Sequence, residues 1–226
     1  MESEVSLRPE LFASQMTKAP MTGAPTTLSE RFERDVARVI AISGLDIGEW
    51  AGSSIRKRAD ALIEMERVLS RDQDRKEHRF YVVPALQDAS GQRLDGHMII
   101  RAHDGWIRSD KVHDNEHWTQ TDAIHEWDLG RHSILIDWAL LKAQDPRKAV
   151  EVMAEECRHA YQSAVLNSHQ NRYSEVDAKT RELWEYGTRL NREHPELYHQ
   201  NPRELDAKSY AQEFSRRRYA KDHSPP

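Results

Sequence analysis

The order of apolar and polar positions divides the chain into a helical opening, a short stretch of β character and a long helical close. From Thr27-Leu28-Ser29-Glu30, where Thr27 and Glu30 stand at capping-box spacing, Phe32, Val36, Val39 and Ile40 recur at helical intervals, and Gly44 or Gly48 is expected to end that helix. A second helix is expected from about Ser54, with Ile55, Leu62, Ile63 and Leu69 on one side, until the polar stretch 71–78 breaks the period. Residues 79–87 are then β-rich, and 97–103 can pair with them across 88–96. Pro84 predicts an edge strand, because proline cannot donate to a ladder. A polar, turn-rich region follows in which Trp106, Trp118 and Trp127 are expected to pack a long loop, and residues 133–136 predict a short third strand. Three helices close the chain, at 146–167, at about 174–191, and from Asn201-Pro202 to about Arg218. The pattern predicts an α+β, helix-dominated single domain with a small β-sheet over residues 29–226. Residues 1–28, rich in Ser, Thr, Pro, Ala and Met without a stable period, predict a flexible leader.

Composition narrows the partners more than the fold. A chain of 226 residues, 38% hydrophobic, is long enough for one sizeable core. A net charge of −5 gives no global case for nucleic acid or an anionic membrane as partner. The run Arg216-Arg217-Arg218 with Lys221 fits a helix C-terminus that complements its own dipole. Cys157 is the single cysteine, so neither an internal disulfide nor a thiolate zinc cluster can form. No apolar run approaches the ~20 residues that span a bilayer, and the N-terminus lacks the basic start and apolar centre of a Sec signal, so a soluble chain is expected. No phosphate loop, dinucleotide fingerprint or G-x-S-x-G elbow is present.

The candidate chemistry lies on the helix from Pro146. Val150, Met153, Ala154, Cys157, Tyr161, Ala164 and Val165 share one face, while Glu155, His159 and Gln162 lie opposite, on a face expected to look away from the core. Residues 155–162 (EECRHAYQ) come within one residue of the metallopeptidase motif H-E-x-x-H, in which two imidazoles one turn apart hold a metal and the Glu between them activates a bound water. Glu155 stands where the first imidazole would be. Solvated surface residues explain the same pattern, since an i, i+4 Glu–His pair is a common helix contact. Two further readings stay open. Glu204 falls at N3 of the last helix, where a capping-box Glu would sit without any metal. His113 and His117 with Glu116 fit the inverted motif H-x-x-E-H, although 110–120 lacks an apolar stripe to anchor a helix; His97, His103, His125 and His132 are expected on loops and surface. Cys157 is expected to be a small buried residue of the apolar face, not a nucleophile.

The strand at 133–137, the helix words AVEVMAEECRHAYQ (149–162), the segment NPRELDA (201–207) and YAQEF (210–214) together resemble the HExxH metallopeptidase-like, zincin-type toxin domains of bacterial polymorphic toxins, over roughly residues 130–215. The resemblance implies a zincin-like fold, with His159 as the second metal imidazole, Glu156 as catalytic base, Glu204 as downstream carboxylate ligand and Asp206 as an acid supporting the ligands. It implies a divalent metal ion as cofactor, zinc first, and a protein as substrate or target. It also implies a cognate immunity protein and release from the producer's cytoplasm by a specialised secretion system. Glu155 is the departure from the family's pattern. As a carboxylate it can complete a three-ligand site with His159 and Glu204, more anionic than His₂Glu and open to manganese or iron. Two functions follow: a metal-dependent hydrolase, a peptidase, with a variant EExxH…E site, or an inactive peptidase-like scaffold that acts by binding a protein.

Overall fold

The computed structural model describes residues 26–83, 95–99, 111–114, 120–122, 133–168 and 172–220. These form an α+β arrangement dominated by helices. Helix α1 (Thr26–Ile40) is followed by a 3-10 turn (Ser43–Leu45), a short α2 (Ile47–Gly52) and the long α3 (Ile55–Asp72). The α3 start is where the sequence places it: the Ser54 side chain caps the helix by accepting from the Lys57 N–H at 3.4 Å. Helix α1 stops at Ile40, ahead of both expected glycines. Gly44 serves a different end, since a Cβ there would stand 3.0 Å from the Ala61 Cβ, and glycine lets the 3-10 turn press against α3.

The sheet has the strand order β2-β5-β1-β3-β4, with β1 Arg79–Val83, β2 Gly96–Ile99, β3 Lys111–Asp114, β4 Gln120–Asp122 and β5 Ser133–Asp137. Two expectations are corrected. Strand β1 is not an edge: it lies between β5, which it meets in parallel, and β3, which it meets antiparallel. Pro84, on which that expectation rested, lies outside the described residues, which end β1 at Val83. Nor does β2 pair with β1. The two are separated by β5, which pairs antiparallel with β2 from Gly96↔Ile136 to Ile99↔Ser133. The physical reason lies in β5, whose five residues Ser-Ile-Leu-Ile-Asp are all buried. Such a strand belongs inside a sheet, and its parallel partner needs a long crossover, which the chain between 84 and 132 supplies.

Beyond β5 come α4 (Trp138–Lys142), α5 (Arg147–Leu166), α6 (Ala178–Glu193), a 3-10 turn (Pro195–Gln200) and α7 (Pro202–Arg218). Helix α5 is the axis of the molecule. Its apolar side enters a core that includes Leu62, Met65, Phe80, Ile134 and Phe214, and its C-terminal half joins a second cluster in which Tyr161 meets Tyr173 and Trp184 edge-on. Helix α7 lies antiparallel along α5, tied at one end by Ser215 to the Arg147 carbonyl and at the other by His159 facing Glu204. Behind α5 sits a buried ion pair. Arg75 grips both oxygens of Glu66 at 2.6 Å, the His78 N–H donates to the same carboxylate at 2.9 Å, and the Cys157 thiol donates to it at 3.1 Å. Burial and the Glu66 charge raise the Cys157 pKa well above the usual thiol range, so this sulfur is a structural contact. Among the described residues no helix is long and apolar enough to cross a membrane. Trp106, Trp118, Trp127, His103, Glu116, His117, His125, His132, Lys221 and most of the expected leader lie outside the described residues.

Candidate metal centre

Glu155 and His159, one turn apart on α5, meet Glu204 from the first turn of α7, and one ligand atom of each lies within 4.8 Å of the other two. The sequence-stated set is thus brought together, but in a different environment from the one its helix wheel predicts. His159 is only 8% exposed and Gln162 is fully buried, because α7 covers the polar face of α5. That face is covered at His159 and Gln162 and only partly open at Glu155. Arg203, Glu204 and Asp206 reach across from α7 and give it polar partners, which is why polar residues are tolerated there.

The capping alternative for Glu204 fails on hydrogen bonds. Asn201 caps α7 by accepting from the Arg203 N–H at 2.9 Å, while its own N–H donates to the Tyr198 carbonyl at 3.1 Å, so no donor waits for Glu204 at the cap. The Glu204 carboxylate turns instead toward His159, whose Nε2 is 3.2 Å from Oε2. Oε2 is buried and, apart from this ionic contact, has no hydrogen-bond partner. Burial would raise this carboxyl, but His159, the Tyr198 hydroxyl and Arg203 outweigh it and bring the pKa down to about 2. Burial would likewise lower His159, but Glu204 and then Glu156 raise it to about 9. Glu155 goes the other way: burial and the Glu204 charge raise it against His159 and Lys208. Glu155, Glu156 and Glu204 therefore share this part of the molecule with His159, Arg203 and Lys208, whose positive charges oppose theirs.

Glu156, the expected base, stands outside the converging triad. It is 7% exposed and points toward the sheet, where its Oε1 would lie 3.3 Å from a Cβ placed on Gly96. Val152 comes closer still, at 2.5 Å, so glycine at 96 is what lets β2 rest directly on α5 beside the site. Asp206, expected to support the ligands, accepts from Gln162 Nε2 at 2.7 Å and is gripped at both oxygens by Arg158. The start of α7 is fixed from below as well: the Asn201 side chain donates to the Gly187 carbonyl at 2.9 Å, and a Cβ on Gly187 would fall 2.4 Å from Asn201 Oδ1.

No family model, curated protein or solved structure matches the chain. The site must be judged by its own geometry, and that geometry separates the two histidine motifs. His113 lies on strand β3, opposite Val82 on β1 and Gln120 on β4. Extended backbone carries residues i and i+4 about 13 Å apart, not one helical turn apart. The helical imidazole pair that the inverted motif would require of His113 and His117 therefore does not form through the described part of that segment, and His117 lies outside it. Sequence reasoning missed Tyr198 and Lys208 beside the Glu155 site. Tyr198, whose hydroxyl donates to Glu204, sits in a 3-10 turn led by Pro195, with the Lys208 ammonium 4.7 Å above its ring. Its one signal was proximity to the Asn201-Pro202 helix start. Gln162 was placed on the right face of α5 without a task.

Proposed function

We propose that this protein is a metal-dependent hydrolase, a peptidase with a variant EExxH…E site, that serves as a toxin or effector module in bacterial competition. The observation that carries the chemistry is the convergence of Glu155, His159 and Glu204 from two helices. Two carboxylate oxygens and one imidazole nitrogen suit a divalent ion, zinc first and manganese or iron next. The fit is supported by Glu204 Oε2, buried without a hydrogen bond, and by the raised Glu155, a carboxyl that gains most from a neighbouring cation. The toxin assignment, its protein target and a cognate immunity partner follow from the resemblance in the α5 and α7 words.

When bound, the ion supplies Lewis acidity to a carbonyl or a water molecule. The chain's own residues do the rest. Glu156, beside the triad but not in it, is placed to take a proton from the attacking water and hand it to the leaving amine. Gly96 brings the β2 backbone up to Glu156, so an extended chain lying along that edge strand would present its peptide bond to the carboxylate. Tyr198 holds Glu204 from the open side, and α7 excludes water from the far side of His159. One feature favours the rival reading of an inactive scaffold that binds its target. Glu155, in place of an imidazole, leaves the ion less electrophilic.

The test is ion binding. Apo protein titrated with Zn²⁺ and with Mn²⁺ is expected to bind one equivalent, and Glu204→Gln and His159→Ala are each expected to lose it. Glu155→His, which completes the familiar imidazole pair, should tighten Zn²⁺ about 10-fold or more. Full occupancy in either loss variant would sink the assignment, and unchanged Zn²⁺ affinity in Glu155→His would mean that position 155 does not face the ion.

A further inference from the structure

We infer that Gln162 is the positioning residue of the site: anchored by Asp206 and, through it, by Arg158, it holds His159 with the proton on Nδ1 and the Nε2 lone pair toward Glu155 and Glu204. The inference rests on the cation reading above and adds a task for residues that no ligand touches. Its basis is that the Gln162 amide cannot be turned over. One end, Nε2, lies 3.0 Å from the Arg203 carbonyl and 2.7 Å from Asp206 Oδ2, and both of these only accept. The other end, Oε1, lies 3.1 Å from Arg203 Nε, which only donates, and 3.0 Å from His159 Nδ1. Flipping the amide would set donor against donor at Arg203 Nε and acceptor against acceptor at the Arg203 carbonyl and Asp206, so these three contacts alone fix its orientation. Oε1 must therefore accept from His159, Nδ1 must carry the hydrogen, and in the neutral ring that leaves Nε2 as the electron-pair donor.

The anchor behind Gln162 is equally fixed. Arg158 donates to Asp206 Oδ2 from Nε at 2.8 Å and to Oδ1 from a terminal nitrogen at 3.0 Å. Its guanidinium is held between three aromatic rings, with centroids at 5.1 Å for Trp184 and Tyr210 and 5.3 Å for Tyr161. The chain of contacts runs from an aromatic cage on α5, α6 and α7, through a two-point ion pair, to the amide, and ends on the one imidazole of the site. A carboxylate commonly orients a metal-bound histidine directly. Here the carboxylate acts one amide removed, which delivers orientation without putting a fourth negative charge beside Glu155, Glu156 and Glu204.

The experiment uses the full chain with Zn²⁺ as the probe. In the zinc-loaded wild type, ¹⁵N-histidine NMR should show the His159 proton on Nδ1 and slow to exchange with water. Gln162→Met, close in size but without the acceptor, should weaken Zn²⁺ by about 10- to 100-fold while the circular dichroism of the apo protein is kept, and the Nδ1 proton should become fast to exchange. Should the buried methionine prevent folding, Asp206→Asn at a partly buried position serves: in either orientation it sets a donor against Arg158, in one of them against Gln162 Nε2 as well, and the same two changes are expected. A wild-type proton found on Nε2, or a folded variant that keeps both full Zn²⁺ affinity and a protected Nδ1 proton, overturns the positioning role and leaves the cation site standing. A wild type that binds neither Zn²⁺ nor Mn²⁺ overturns the cation reading, and this role with it.

Discussion

Glu66→Gln is expected to lower the free energy of unfolding by about 3–5 kcal/mol in urea denaturation at neutral pH, a larger loss than any other single polar substitution in this chain should cause. The side chains of Glu66 and Arg75 are each 1% exposed, and Arg75 bonds both oxygens of the carboxylate. An amide keeps the shape but removes the charge, and in either orientation it points an NH₂ group at the guanidinium, together with the Cys157 thiol or the His78 N–H. Arg75 is then a cation buried without a counter-charge. Breaking such a pair from one side is far costlier than replacing both members, so Glu66→Gln with Arg75→Met should recover much of the loss. If Glu66→Gln alone costs less than about 1 kcal/mol, the pair does not hold α3 to the back of α5 in the way its geometry indicates.

The same group sets the acid limit of stability. Burial would raise the Glu66 pKa, but the charge and hydrogen bonds of Arg75 and the contacts from His78 outweigh it and hold the carboxyl well below its ordinary 4.5. Glu204 is held down too, at about 2. A carboxyl with a depressed folded pKa contributes stability that is fully present above the unfolded value and is lost as pH falls toward the folded one. Unfolding free energy should therefore fall steadily as pH drops below about 4.5, with the acid limb reduced in Glu66→Gln. An acid limb of equal depth in that variant would assign it to other carboxylates.

Much of the fold was legible because it is written in local signals. Ser54 and Asn201 cap helices where their spacing says they should, and helix α5 runs within a residue of its expected ends. The sheet was misread because strand order is not local. Ser133–Asp137 sits between two strands that precede it in sequence, and only its unbroken burial hinted that it belonged inside. The site residues were legible from spacing on one helix and one cap, yet the wheel assigned their face to solvent. A wheel knows only its own helix. Whether a polar face is wet or buried depends on what a later element brings to it, and α7 brings Arg203, Glu204 and Asp206. The Gln162 contact with Asp206 was invisible for the same reason, since it spans 44 residues, while Tyr198 was missed because it sits in a short 3-10 turn with no periodic signal.

Glu156→Gln should abolish turnover and spare the ion. Glu156 follows Glu155 directly, so the helix turns its side chain about 100° away from the Glu155–His159 line and toward β2, beside Gly96. On the proposed reading it would act on a water at the ion without being one of the ligands, which are Glu155, His159 and Glu204. Glutamine keeps the length and the hydrogen bonding of glutamate but cannot accept the water's proton. Removal of a general base of this kind costs about 10²- to 10⁴-fold in rate. Hydrolysis of a mixed peptide library, read by mass spectrometry, should fall by that range, while Zn²⁺ affinity stays within about 3-fold and the fold is kept. Loss of the ion in Glu156→Gln would make Glu156 a ligand and Glu155 its neighbour. Library hydrolysis at the wild-type rate would remove the base from Glu156. If the wild type cleaves nothing and expression of Glu156→Gln harms bacterial cells as much as expression of the wild type, the protein acts by holding its target, and Glu155 marks the step at which the site gave up catalysis.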